Sequence, residues 1–236
     1  MAVSACYDYA LAYGTPFISG KDSMFNDFKG YNEEGKQVKI SVPPTLLISS
    51  IGIIDDISEI ISIDVKFVDD LVYILGETKN ELAGSEYYSM LGGSSKKVPV
   101  VDALKNKKTY HAFYFCLKSG LIASAISVNR GGLAVALAKM SMAGMLGIEI
   151  SLKNLPGETL RDDFALFSES QGRILLTISP KNKVKFEKAM KGCSFAEIGK
   201  VTGDGYITIN GRNGQKIIRV PVIEALKFYK STFKNY

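Results

Sequence analysis

Apolar residues recur at helical spacing over residues 3–13 and stop at Gly14, a residue suited to the left-handed conformation that ends helices. After Thr15 and Pro16, Phe17 and Ile18 predict a short strand, which leads into the turn Ser19-Gly20-Lys21-Asp22-Ser23. Residues 28–42 are polar, with Gly30, Asn32 and Gly35 as turn formers, and predict a hairpin or loose loop closed by Pro43 and Pro44. Residues 45–54 are rich in Leu and Ile and predict a buried strand, and residues 71–76 predict a second one. A boundary is expected between them, over residues 55–66. Further along come a glycine-rich turn at 84–93, a helix over 102–118, and a helix that follows Gly131-Gly132 and runs to about Met145. Strands are expected at 173–178, 196–201 and 206–209, with a helix over 182–191. Strands and helices alternating in this proportion predict an α/β or α+β layered fold.

The 236 residues, 46% hydrophobic and 22% charged, are enough for one large domain or two small ones with a real core. No apolar run approaches the roughly 20 residues needed to cross a bilayer, so no membrane span is expected. The first eight residues have neither a basic leader nor a clean apolar core and do not read as a signal peptide. Cys6, Cys116 and Cys193 are widely spaced and odd in number, which suits reduced, packed thiols of a cytoplasmic protein rather than a metal site. The net charge of +5 is modest and the lysines are scattered, so nucleic acid is not an expected partner, whereas acidic small molecules are.

Several turns concentrate the polar chemistry. Ser19-Gly20-Lys21-Asp22-Ser23 packs a glycine, a cation, a carboxylate and two hydroxyls behind a strand, a composition that can offer backbone N–H groups and a lysine to a phosphate. The same residues are also the commonest turn formers. Asn26 and Asp27 add oxygen donors that suit a hard cation only if the backbone brings them back to the turn. Gly84-Ser85-Glu86-Tyr87-Tyr88 lies downstream of a strand, where α/β folds place ligand loops, and Ser85 can equally cap the next helix. Arg130-Gly131-Gly132 opens a helix whose free N–H groups suit an anion; the alternative is that the glycines allow close packing. Ser168-Glu169-Ser170-Gln171-Gly172-Arg173 leads into a strand, with Arg173 either clamping an anion or lying solvated on the surface. The one histidine, His111, falls on a helix near Lys107 and Lys108, so a Ser-His-Asp arrangement has no support.

Taken together the motifs are specific. Gly14-Thr15-Pro16-Phe17-Ile18-Ser19-Gly20-Lys21-Asp22-Ser23-Met24, Val42-Pro43-Pro44-Thr45-Leu46-Leu47-Ile48-Ser49 and Leu75-Gly76-Glu77-Thr78 followed by Gly84-Ser85-Glu86-Tyr87-Tyr88 resemble the second half of the phosphoribosylformylglycinamidine synthase family. So do Gly131-Gly132-Leu133-Ala134-Val135-Ala136-Leu137-Ala138 and Ile198-Gly199-Lys200-Val201-Thr202. The resemblance implies two homologous halves, each pairing a barrel-forming N-terminal domain with a C-terminal α/β domain of the aminoimidazole ribonucleotide synthetase type. Residues 1–65 would be the tail of one N-terminal domain and residues 66–236 a C-terminal domain. It further implies an ATP- and Mg²⁺-dependent carbon–nitrogen ligase of purine biosynthesis, cytoplasmic, inactive as this chain alone. The expected partners are the other homologous half of the synthetase and a glutaminase domain or subunit, with a homodimer possible through exposed strands.

Carried over residue by residue, Gly20 and Lys21 fall at ATP and Ser23 at substrate. Lys21 stands where shorter relatives place a metal-binding asparagine, and a protonated lysine cannot ligate a metal. The pattern His-Asp-x-Ser-Asp-Gly-Gly, whose first aspartate binds metal beside a nucleotide, reads Ile126-Ser127-Val128-Asn129-Arg130-Gly131-Gly132 here. Ser127 and Arg130 therefore replace both carboxylates, no metal ligand is expected at this spot, and Asn129 is expected at ATP. Gly84, Ser85, Arg130 and Gly131 are the expected phosphate-facing residues. A noncatalytic scaffold half, or another ATP-using member of the same superfamily such as a thiamine-monophosphate kinase, is the alternative; the Gly-Lys-Asp-Ser-Met and Gly-Ser-Glu-Tyr-Tyr runs argue against the latter.

Overall fold

Leu71-Val72-Tyr73-Ile74-Leu75 is apolar at every position, the pattern of a strand covered on both faces, and it forms an interior strand of the seven-stranded main sheet, third from one edge. In the computed structural model, which describes residues 2–21, 27–43 and 45–232, the chain divides into two units, residues 1–55 and 56–236.

The first unit holds helix α1 (Ala2–Tyr13), ended by Gly14 at φ 72°, and an antiparallel hairpin of β1 (Asp27–Tyr31) and β2 (Gln37–Ser41). The side chain of Asn32 accepts from the N–H groups of Glu34 and Lys36 and shapes the hairpin turn. Two expected strands are absent. Phe17 and Ile18 are exposed and outside any ladder, and residues 45–54 are exposed without regular structure among those described. Residues 45–54 are apolar enough for a strand, but a strand needs neighbours to pair with, and the described part of this unit offers only one short hairpin.

The second unit runs β3 (Leu71–Leu75), β4 (Thr78–Lys79), α2 (Glu86–Leu91), α3 (Ala103–Lys118), β5 (Ser124–Ser127), α4 (Gly132–Gly144) and β6 (Gly147–Ser151). It continues with β7 (Gly157–Glu158), α5 (Asp162–Phe167), β8 (Ile174–Ile178), α6 (Lys183–Ala189), β9 (Phe195–Thr202), β10 (Tyr206–Asn210), β11 (Lys216–Pro221) and α7 (Val222–Ser231). The sheet order is β11-β10-β6-β9-β3-β8-β5; only β6 and β10 pair in parallel, and β4 and β7 form a separate two-residue ladder. This is a mixed α/β fold with helices on both faces.

The period of two along β3 sorts the core. Val72 and Ile74 face a cluster with Leu133, Leu137 and Met140 of α4 and Val222 of α7, whereas Tyr73 and Leu75 face Cys116 of α3 and Phe186 of α6. Each fully buried aliphatic side chain contributes about 1.5–3 kcal/mol by leaving water, so the two clusters hold the sheet between helical layers. Helix α3 begins as its sequence demands, with the Asp102 side chain accepting from Lys105 N–H. The edge strands β5 and β11 and the helices α5 and α7 are elements that the sequence pattern did not announce; β5 is only four residues of mixed polarity.

Candidate functional site

Three of the polar turns converge in the second unit. The turn before α4 leaves β5 through Val128, whose N–H donates to the Arg173 carbonyl, and bends at Gly131 with φ 83°. Gly132 follows at φ 67°, and a Cβ there would come within 2.6 Å of the Leu166 carbonyl and 2.7 Å of the Ser168 carbonyl. Close packing of α4 on the end of α5 therefore requires this glycine. The turn before α2 is capped by buried Ser85, which accepts from Tyr88 N–H at 3.3 Å.

The third turn, residues 168–173, joins the other two. One oxygen of Glu169, Oε1, accepts from the N–H of Glu86 at 2.9 Å and from the N–H of Gly131 at 2.9 Å. Arg130 forms an ion pair with Glu86 across the same gap. Buried side chains fix the turn beneath Glu169: Ser168 donates to the Lys79 carbonyl at 2.6 Å, and Ser170 accepts from Lys79 N–H at 3.0 Å. Arg173 is only 1% exposed and donates to the carbonyls of Ser170 and Ser168 and to the Thr78 hydroxyl, at 2.9, 2.6 and 2.9 Å. Burial pushes its guanidinium down to about 10, against the attraction of Glu81 and Glu169. Arg173 is thus an internal clamp for the turn, neither an anion clamp for a ligand nor a solvated surface residue.

Helix α2 is held from the other side by aromatic contacts. Tyr87 stacks on Phe167 with ring centroids 4.7 Å apart, and its hydroxyl donates to Asp163 at 2.8 Å, which raises the phenol above its ordinary range. Beside the joined turns lies a cavity of about 340 Å³ whose lining includes Ser127, Asn129, Arg130 and Lys139, together with Ile63 and Val135. Two cations and two neutral hydrogen-bonding side chains at its rim suit an anionic ligand with polar groups. They do not suit Mg²⁺, and among the described residues no three acidic, cysteine or histidine side chains converge to hold a metal.

The structure therefore brings together Gly84, Ser85, Asn129, Arg130 and Gly131. Gly20 and Lys21 lie exposed in the first unit, and Ser23 falls outside the described residues. His111 is exposed on α3. Sequence reasoning missed two members: Lys139, which reads as an ordinary helix lysine, and Glu169, whose turn was singled out but whose carboxylate gave no local sign of reaching two other turns.

Residues 68–211 match the family described as AIR synthase related protein, C-terminal domain. The chain belongs to this family. Among curated relatives of this AIR synthase related domain, subunit PurL of phosphoribosylformylglycinamidine synthase from Methanocaldococcus jannaschii is 36% identical over 231 residues, 96% of this chain and 30% of that protein. The PurL subunit from Caldanaerobacter subterraneus is 35% identical over 214 residues, 88% of this chain and 27% of that protein. The chain thus spans less than a third of the length of these relatives, and the likeness agrees with the resemblance read from the motifs. A Thermotoga maritima PurL complexed with FGAR shares the fold, with a TM-score of 0.70 at 17% identity over 92% of this chain and 36% of that one. The same protein complexed with ATP gives 0.68 at 16% identity, over 94% of this chain and 34% of that one. None of the helices among the described residues is long and apolar enough to cross a membrane.

Proposed function

We propose that the chain is the C-terminal part of a phosphoribosylformylglycinamidine synthase and acts only within the larger assembly. The observation that carries the reading is the 36% identity to a PurL subunit across 96% of the chain. In the intact enzyme the γ-phosphoryl group of ATP passes to the amide oxygen of formylglycinamide ribonucleotide. Ammonia released from glutamine then adds at that carbon, and phosphate leaves with the oxygen, giving the amidine and ADP. Positioning of phosphates and neutralisation of charge supply most of such catalysis.

Within this chain Gly20, Lys21 and Asn129 contact ATP and Ser23 contacts substrate, while Gly84, Ser85, Arg130 and Gly131 face phosphate. The domains divide at residues 65/66, the partners are the homologous half of the synthetase and a glutaminase, and the site of action is the cytoplasm. Mg²⁺ is a cofactor of the intact enzyme, and among the described residues of this chain no three acidic, cysteine or histidine side chains gather to hold it.

Isothermal titration of the chain with ATP and with formylglycinamide ribonucleotide tests the reading. Binding of ATP, weakened about tenfold in Asn129→Ala by loss of one hydrogen bond to a charged ligand, is the expected result. A folded chain that binds neither ligand favours the second reading, a noncatalytic half that buries its partner; the hydroxyl of Ser127 on the cavity wall, where the family pattern carries a metal-binding aspartate, speaks for it.

A further inference from the structure

The N–H groups expected to face phosphate are not open. Gly131 N–H and Glu86 N–H, from turns 45 residues apart in the chain, both donate to the single oxygen Oε1 of Glu169. An ionised carboxylate on two backbone donors is itself a bound anion, stabilised as a phosphate oxygen would be. Arg130, the cation of this turn, pairs with the Glu86 carboxylate. A phosphate approaching the Gly131 N–H thus meets two carboxylates, those of Glu169 and Glu86, and donors already used.

We propose that Glu169 is a resident anion that closes the turn before α4, so that a phosphate group reaches Gly131 only by displacing this side chain. The inference rests on the reading of residues 129–131 as phosphate-facing and adds its regulation. The contact is an internal competitor: a ligand with enough binding energy elsewhere, such as a nucleotide, opens it, and free phosphate does not. Exchange needs little else to move, because Ser168, Ser170 and Arg173 anchor the backbone under Glu169 and leave its carboxylate as the part that swings.

The test titrates inorganic phosphate and ADP into the wild-type chain, Glu169→Ala and Glu169→Gln, following heat and the amide resonances of Glu86 and Gly131. Removing the competing carboxylate is expected to tighten phosphate binding by about tenfold or more in Glu169→Ala, in line with the strength of charge-assisted hydrogen bonds. Glu169→Gln, which keeps an acceptor without the charge, should fall between, and both amide resonances should shift on titration. It also covers the case in which Glu169→Ala does not fold. Equal or weaker binding in the folded variants, or binding that leaves both amides unmoved, overturns the proposal. If the wild type binds ATP and the variants bind phosphate no better than it does, the functional reading stands and this inference falls. If no protein binds any anion, the phosphate-facing assignment falls with it.

Discussion

Replacing Arg173 by alanine should be among the most damaging single changes in the second unit. The side chain is 1% exposed and donates to two carbonyls and one hydroxyl, those of Ser170, Ser168 and Thr78. Alanine leaves these three acceptors without a guanidinium in a place water cannot reach, and each buried unsatisfied group costs about 1–3 kcal/mol. Against this, the variant no longer has to bury a charge, a relief worth several kcal/mol in general. The balance is a loss of about 3–4 kcal/mol, within the range for breaking a buried charged network. Arg173→Lys restores the charge but not the planar fork, so it should recover only part of the loss. Urea unfolding followed by hydrogen exchange at the β8 amides reads the unit that matters. Arg130→Ala is the control: its side chain is 83% exposed, and its pair with Glu86 should be worth at most about 0.5 kcal/mol. A value for Arg173→Ala within about 1 kcal/mol of the wild type would refute the clamp argument and with it the account of how Glu169 is held.

Two further predictions follow from burial and backbone geometry. Asp70 is 3% exposed and one of its carboxyl oxygens is unpaired, so burial raises its pKa above the ordinary carboxylate value, against a smaller attraction from Lys66. In the unfolded chain this carboxyl ionises near 3.8, and in the folded chain it holds its proton to higher pH. Its contribution is therefore full below the unfolded value and lost as pH rises through the folded one. Asp70→Asn should accordingly stabilise the protein at pH 7 and lose that advantage toward pH 4; unfolding curves across this range check it, and a pH-independent difference would count against it. Gly84 and Gly132 both have positive φ, 71° and 67°, but a Cβ meets nothing within 4 Å at the first and backbone carbonyls at the second. Gly84→Ala should cost only the left-handed penalty of about 1–2 kcal/mol, and Gly132→Ala clearly more, as thermal unfolding of the two variants would show.

Strand β3, the long helix α3, helix α4 and the strands β8 to β10 were all legible in the sequence. Each is written in local periodicity, and burial on both faces of β3 follows from five apolar residues in a row. The motif turns at 84–88, 129–132 and 168–173 were legible too, as places where polar chemistry concentrates. What the turns do to one another was not. The reach of Glu169 to Glu86 and Gly131 spans 83 and 38 residues, and a carboxylate looks the same in sequence whether it meets water or two distant N–H groups. Arg173 is the same case, since an arginine beside a glycine turn reads equally as an anion clamp or a solvated side chain until the fold closes over it. Residues 45–54 are the converse: the apolar pattern specified what the segment wants to bury, but a strand exists only where another strand accepts its hydrogen bonds, and that partner is a matter of tertiary structure.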